Sequence, residues 1–154
     1  MDLLEELKSL IATFDEKEIE YALCGGLAMA IYAMPRATLD IDLMIERGSL
    51  PKVVKAIARL GFTLKARPMR FRGGKIQIHR ISKTDASSGE ILNLDLLITT
   101  PGIQPAWKSR SKVKWEGGAI SVVSPRGLIA LKSLRRSGQD KDDIRYLRSI
   151  RDKD

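Results

Sequence analysis

The segment TLDIDLMIE, residues 38–46, repeats with a period of two, and this pattern constrains how the chain folds. One set of alternating positions holds Leu39, Ile41, Leu43 and Ile45, and the other holds Asp40, Asp42 and Met44. Side chains two residues apart lie on the same side of a strand, so we predict a β-strand with one buried face. That face needs neighbouring strands and a covering layer, which leaves both aspartates together on the other face.

The two aspartates would lie about 7 Å apart along this strand. Like charges this close repel each other unless a cation lies between them, and carboxylate oxygens are the ligands that Mg²⁺ prefers. The pattern therefore favours a metal site formed by Asp40 and Asp42. The alternative is a half-exposed strand whose solvent face is simply acidic.

A third aspartate lies in a second strand pattern, ILNLDLLI, at residues 91–98. Asp95 shares one face of this strand with Asn93 and Leu97. An aspartate within an apolar strand is costly unless it is paired or binds a metal. If the two strands are neighbours, Asp95 completes a triad of carboxylates, in which it would take the proton of an attacking hydroxyl and help to hold one ion.

Two adjacent glycines precede the first acidic strand. Residues 21–24 predict a short buried strand, and residues 27–34 predict a small apolar helix that ends at Pro35. Between them, Gly25 and Gly26 allow backbone N–H groups to approach an anion closely, and phosphate is the natural ligand. The alternative is a tight turn that binds nothing.

The remaining periodicities predict helices at residues 2–14, 49–60, 104–109 and from 125 onward with a break at Gly138, and strands near residues 62–65, 75–81, 90–98 and in a hairpin at 112–123. This order indicates an α+β fold with a mixed twisted sheet and helices packed on one face. We expect one domain, residues 1–154, whose C-terminal helical portion covers about residues 125–150.

The net charge of +8 is distributed unevenly. Residues 1–60 carry 7 Lys and Arg against 10 Asp and Glu, whereas residues 61–154 carry 20 against 9. Such an asymmetry is typical of a surface that faces a polyanion such as nucleic acid, although a merely solvated basic surface is the alternative. The sequence has no membrane-spanning apolar run and an acidic start, so we expect a cytoplasmic protein that does not bind a membrane.

Three other features are less specific. The segment RPMRFRGGK, residues 67–75, is expected to be a basic loop that either follows a phosphate backbone or is only solvated. His79 alternates with isoleucines and is taken as an ordinary strand residue. Cys24 is the single cysteine, so it cannot form an internal disulfide, and we expect it to be buried.

In order and spacing, these motifs resemble the DNA-polymerase-β-type nucleotidyltransferase superfamily. The string RATLDID matches the R-x-T-x-D-x-D form typical of the nucleotidyltransferase toxins of abortive-infection and type IV toxin–antitoxin systems. The C-terminal LKSLRRSGQDKDDIRYL is similar to the closing motif of that group, at Lys132, Arg136, Asp140 and Asp143. The resemblance implies a minimal nucleotidyltransferase-like domain.

The resemblance also implies roles for the aspartates and glycines. Asp40 and Asp42 would bind two Mg²⁺ ions, or Mn²⁺, that also hold a nucleoside triphosphate. Asp95 would be the base and a ligand of one ion, while Gly25 and Gly26 would cradle the phosphates. The family often has Gly-Ser where this chain has Gly-Gly, so a hydroxyl contact to phosphate is missing here.

Four further residues are assigned to nucleotide binding by the same resemblance. Lys132 would neutralise part of the triphosphate charge, and Arg136 belongs to the same motif. Arg36 and Thr38 would either contact phosphate or fix the turn into the strand. Many relatives carry an additional helical domain that helps to hold the acceptor, and the sequence shows none after the closing motif.

The sequence thus predicts a nucleotidyltransferase that moves NMP from an NTP to a hydroxyl. Because of the basic excess, RNA is the favoured acceptor, with a tRNA 3′ end as one candidate, in a toxin–antitoxin or phage-defence setting with a cognate antitoxin as a partner. One alternative is an aminoglycoside- or lincosamide-type antibiotic nucleotidylyltransferase. Another is a non-catalytic nucleic-acid-binding or antitoxin-like protein with the same fold.

Overall fold

The computed structural model describes residues 1–32, 40–134, 145 and 147–150. The helices are α1 (Leu3–Glu16), α2 (Gly25–Ile31), α3 (Leu50–Ala58), α4 (Gln104–Lys108) and α5 (Pro125–Ser133). Residues 145 and 147–150 are also helical. Among the described residues, none of the helices is long and apolar enough to cross a membrane.

The strands form one sheet. They are β1 (Ala22–Cys24), β2 (Asp40–Ile45), β3 (Leu64–Lys65), β4 (Met69–Phe71), β5 (Ile76–Thr84), β6 (Ile91–Ile98), β7 (Ser111–Trp115) and β8 (Gly118–Val122). Their order is β3-β5-β6-β2-β1-β8-β7, and β4 also pairs with β5 at the β3 edge. The β2–β6 and β1–β8 pairs are parallel and the other pairs are antiparallel, which confirms the mixed sheet of an α+β fold.

Helices α1 and α5 begin at a residue whose side chain caps the first turn. The side chain of Asp2 accepts the backbone N–H of Leu4 and so caps α1. Ser124 caps α5 by accepting the N–H of Gly127. At Ser49, directly before α3, the side chain makes no such bond, and a 3₁₀ turn precedes the helix.

The hydrophobic core lies on one face of the central strands. Alternate side chains of β2 and β6 are fully buried there, namely Ile41, Leu43, Ile45, Leu94 and Leu96. Helix α1 lies on this side, because Lys83 of β5 reaches Glu6 of α1 with its ammonium 2.9 Å from the carboxylate. Arg80 is three residues before Lys83 on β5. Since successive side chains of a strand point to alternate faces, Arg80 faces the opposite side of the sheet. The opposite face is therefore the one on which the aspartates lie.

Strand β4 is a departure from the sequence analysis, which expected residues 67–75 to be a loop. Only residues 72–75 turn, with Arg72, Gly73 and Gly74 at positive φ. The three residues of β4 are too few to show a period of two in the sequence. The strand forms because it can pair with the free edge of β5. Strand β3 is likewise shorter than predicted.

Candidate active site

Four side chains lie in one row across neighbouring strands. Asp42 on β2 is the register partner of Asp95 on β6, and Asp95 is in turn opposite Arg80 on β5. On the other side, Asp42 is opposite Cys24 at the end of β1. Neighbouring strands are about 4.8 Å apart, so the two carboxylates are adjacent. The predicted contact between the two acidic strands is therefore present.

Asp40 lies one step along the same face, in a second row. The amide of Asn93 donates to Asp40 Oδ1 over 3.2 Å, and Ser82 Oγ donates to the amide oxygen of Asn93 over 2.7 Å. Because these hydrogen bonds orient Asp40 from the β6 side, its other oxygen, Oδ2, stays directed to the cleft and to Arg80.

Arg80 is a member of the site that sequence reasoning missed. Its Nε and Nη2 donate to the two oxygens of Asp95 over 2.7 and 2.9 Å, and Nη2 lies 3.6 Å from Asp40 Oδ2. The hydrogen bond to Asp95, followed by the charges of Asp95, Asp40 and Asp42, raises the pKa of Arg80 above its usual range. The guanidinium thus places a positive charge among the three carboxylates.

Gly25 closes the other end of the row. Its φ is 68°, a left-handed conformation that side chains rarely adopt, and a Cβ there would collide with the carboxyl group of Asp42. A glycine at this position therefore lets the β1–α2 junction pack directly against the Asp42 carboxylate. Gly26 follows as a buried residue of α2.

Lys132 approaches from α5. It is only 3% exposed and lines a small pocket together with Gly25, Asp42 and Asp95. Lysine is rarely buried so deeply without a polar partner. Helix α5 thus carries a cationic side chain to the glycine end of the row, where the sequence analysis expected a triphosphate contact.

A cleft of about 700 Å³ brings together most of the predicted site residues. Gly25, Gly26, Asp40, Asp42 and Asp95 all line it, and Lys132 lies in the adjoining pocket. The predicted residues Arg36, Thr38 and Arg136 lie outside the described residues, as do Asp140 and Asp143.

The far wall of the cleft is formed by β4 and β5. Met69, Phe71 and Arg72 line it from β4 and its turn, facing Ile78 and Ile76 of β5. Phe71 is 51% exposed and lies within the cleft, whereas the other exposed large apolar side chains of the described residues, Leu4, Leu64 and Ile91, lie outside it. From the sequence this segment was predicted only to be a basic loop, with no indication that it lies close to the aspartates.

The donor set suits a hard divalent cation. Asp40 and Asp42 present carboxylate oxygens to the cleft, and the Asp42 carboxyl group lies where a side chain at Gly25 would otherwise be. Within residues 1–32, 40–134 and the described part of the last helix, no group of three Asp, Glu, His or Cys side chains is arranged to hold a metal ion. Both oxygens of Asp95 accept hydrogen bonds from Arg80 in this structure.

A parallel pair of acidic strands next to a glycine turn is the arrangement of a nucleotidyltransferase, and comparison with protein families agrees. The family model described as "Nucleotidyl transferase AbiEii toxin, Type IV TA system" matches residues 9–137. The chain belongs to this family of toxin–antitoxin nucleotidyltransferases. Enzymes of this kind generally use divalent metal ions. No match was found among curated proteins.

Solved structures share the fold. The lincosamide antibiotic adenylyltransferase LnuA, bound to lincomycin, is 15% identical with a TM-score of 0.62, over 95% of this chain and 96% of that one. A putative nucleotidyltransferase from Thermotoga maritima is 14% identical with a TM-score of 0.59, over 97% and 90%. The antibiotic-resistance factor ANT(2'')-Ia is 16% identical with a TM-score of 0.62, over 97% and 85%.

Proposed function

We propose that the chain transfers NMP from a nucleoside triphosphate to a hydroxyl group of RNA in a metal-dependent reaction, as the toxin of a toxin–antitoxin pair. The observation that carries this proposal is the register of Asp42 with Asp95, with Asp40 on the same face and Gly25 against Asp42. A tRNA 3′ end is the acceptor to test first, and a cognate antitoxin is the expected protein partner.

The glycine end of the row is the proposed triphosphate site. Gly25 and Gly26 bring backbone N–H groups to the cleft without side chains in the way, and Lys132 adds a positive charge nearby. Arg36, Thr38 and Arg136 would add cationic or polar contacts if the resemblance holds for them. Asp40 and Asp42 would hold the divalent ions, which would stabilise charge on the phosphates.

Asp95 is the proposed base. The new bond joins the acceptor oxygen to the α-phosphorus, the α–β phosphoanhydride bond breaks, pyrophosphate leaves, and the hydroxyl proton passes to Asp95. Both oxygens of Asp95 accept hydrogen bonds from Arg80, so Arg80 must release at least one of them first. We therefore propose that Arg80 stabilises the empty site and turns away when substrates bind.

Charge favours RNA as the acceptor. Seven Lys and Arg residues and no Asp or Glu lie between residues 61 and 84, and part of this segment, within residues 69–80, lines the far wall of the cleft. Five of these cations are exposed, namely Lys65, Arg67, Arg70, Arg72 and Lys75. A polyanion gains from such a surface, whereas an aminoglycoside, itself a cation, would be repelled by it.

The proposal is tested by incubating the protein with each α-labelled NTP, Mg²⁺ and total cellular RNA. We expect label in RNA, and we expect Asp42→Ala to lower the transfer rate on the order of 10³-fold or more while circular dichroism stays unchanged. Asp15→Ala, an exposed aspartate at the end of α1, is the matched control and should transfer normally.

Other outcomes separate the alternatives. Undiminished transfer by Asp42→Ala would exclude this site as the catalytic one. Label in aminoglycoside or lincosamide acceptors but not in RNA would favour the antibiotic-modifying alternative. The absence of Mg-NTP binding by calorimetry at millimolar nucleotide would favour a non-catalytic binding protein.

A further inference from the structure

We propose that β4 is a docking wall for the acceptor RNA, on which Phe71 stacks against the base of the nucleotide that carries the attacking hydroxyl. Arg72, beside Phe71 in the cleft, would contact the neighbouring phosphate. This inference rests on the proposed function, since it assumes that RNA is the acceptor. It adds a base-binding site and residues that the family resemblance does not assign.

The geometry of the reaction indicates that the acceptor would approach along β4. In an in-line displacement the attacking oxygen and the leaving pyrophosphate lie on opposite sides of the α-phosphorus. If the triphosphate lies at Gly25 and Lys132, the acceptor must approach from the Asp95 side of the row. The strands on that side are β5 and then β4, so β4 is the wall that the acceptor meets.

The surface of this wall suits a nucleobase. Phe71 and Met69 are paired with Ile76 and Ile78, which gives an apolar strip that leads to the carboxylates. Phe71 is 51% exposed, and a large exposed apolar group within a cleft is typical of a binding site. Stacking on an aromatic ring is how single-stranded nucleic acids are commonly held, and it tolerates any base.

The charges around the strip suit a phosphate backbone. Arg72 lines the cleft next to Phe71, and Arg67 is exposed just before β4, whereas Arg70 is opposite Gln77 and faces the other side of the sheet. In the part of the chain that the structure describes, none of these three forms an ion pair with a carboxylate. An aromatic ring with an arginine beside it in the cleft therefore offers both a stacking surface and charge for single-stranded RNA.

Three hydrogen bonds hold the turn that follows β4. Arg72 Nε donates to the carbonyl of Leu134, just after α5, over 2.5 Å. Gln77 donates to the carbonyl of Gly74 over 3.0 Å, and Thr100 donates to that of Lys75 over 2.6 Å. These three bonds fix the turn after β4, so Phe71 is held in place before a ligand arrives and less ordering entropy is lost on binding.

The test uses a short single-stranded RNA whose 3′-terminal base is 2-aminopurine, the fluorescence of which falls when it stacks. We expect the full-length protein to bind this RNA and to quench it. Phe71→Ala should bind it roughly 5- to 100-fold more weakly and lose the quenching, since one base–aromatic stack is removed. Phe71→Tyr should retain both properties.

Two controls test whether the loss of affinity comes from stacking of the terminal base on Phe71. Leu64→Ala removes another exposed apolar side chain at the same sheet edge, outside the cleft, and should change RNA affinity less than about twofold. An RNA without its 3′-terminal base should bind the unaltered protein and Phe71→Ala with equal affinity. Removing the base and removing the ring eliminate the same stacking contact, so the second change has no further effect. Calorimetry with a non-hydrolysable NTP should give the same affinity for both proteins.

The outcomes distinguish this inference from the proposed function. If the unaltered protein labels RNA but Phe71→Ala binds the probe equally well, the docking wall is wrong and the proposed function stands. If the unaltered protein neither binds nor labels RNA, both fall. Weaker NTP binding by Phe71→Ala would assign the strip to the nucleotide, and a change only in self-association would assign it to a protein contact; either overturns the inference.

Discussion

The two ends of the carboxylate row differ in nearly every physical respect. At the glycine end, Gly25 leaves no space for a Cβ and Lys132 is 3% exposed. At the arginine end, Phe71 is 51% exposed and the surrounding cations face solvent. A tightly packed end suits a group that is common to all NTPs, whereas an open end can accept a large and variable molecule. Under the proposed function, acceptor choice is therefore decided at the arginine end.

The largest effect is expected from Gly25→Ala compared with Gly73→Ala. Both glycines have φ near +65°, so each substitution should cost about 1–2 kcal/mol of backbone strain. Only at Gly25 does the new Cβ meet another group, the Asp42 carboxyl, which should add roughly 1–3 kcal/mol. Urea denaturation should therefore show Gly25→Ala to be clearly the less stable variant.

Transfer activity gives a second measurement for this pair. Gly25→Ala should lose on the order of 100-fold in transfer rate, because the Asp42 carboxylate must move to admit the methyl group. Equal stability of the two variants would show that the glycine end is looser than described and would remove the contrast between the two ends.

An intermediate effect is expected from Arg80→Gln. Losing the charged hydrogen bonds to Asp95 should lower the free energy of unfolding by about 1–3 kcal/mol when no metal is present. Mg²⁺ should then stabilise this variant more than the unaltered protein, because metal and Arg80 compete for the same oxygens. Thermal unfolding with and without Mg²⁺ measures both quantities.

Lys83→Gln is the matched control for that prediction. Lys83 lies on the same strand, faces the other side of the sheet, and contacts both oxygens of Glu6 over 2.9 Å. Its replacement should lower stability without any added response to Mg²⁺. An equal response to Mg²⁺ in the two variants would contradict the role given to Arg80.

The smallest effect concerns His79, which is adjacent to Arg80 in sequence and faces the opposite side of the sheet. Burial, and secondarily the charge of Arg47, lowers the pKa of His79 below its usual 6.5. The unfolded chain therefore binds more protons near and below that pH, so stability falls as the pH falls. Between neutral pH and about 5, His79→Gln should lose less stability than the unaltered protein in urea titrations.

The acidic strands were predictable because their signal is local. A period of two fixes which side chains share a face within a strand, and it places Asp40 with Asp42 and Asp95 with Asn93 without knowledge of the neighbours. The turn at Gly25 was predictable for a similar reason, since few residues tolerate the left-handed conformation that it adopts.

Arg80 was not predictable in the same way. Its contact with Asp95 depends on the register of the β5–β6 hairpin, in which Thr84 pairs with Ile91, and that register depends on a loop whose length the sequence leaves ambiguous. Alternation does place Arg80 on one face with Ile76 and Ile78, and this was the available signal. The role of β4 was not predictable from the sequence either, because this strand forms by pairing with the free edge of β5.

The row that joins Cys24, Asp42, Arg80 and Asp95 also has a consequence for the order of events during synthesis. Its members come from four strands distributed over more than seventy residues, and two of the strands, β2 and β6, pair in parallel. Parallel pairing needs a long crossover and forms late in folding. A nascent chain therefore has no complete row until β6 is in place, and Asp42 lacks its carboxylate neighbour until then.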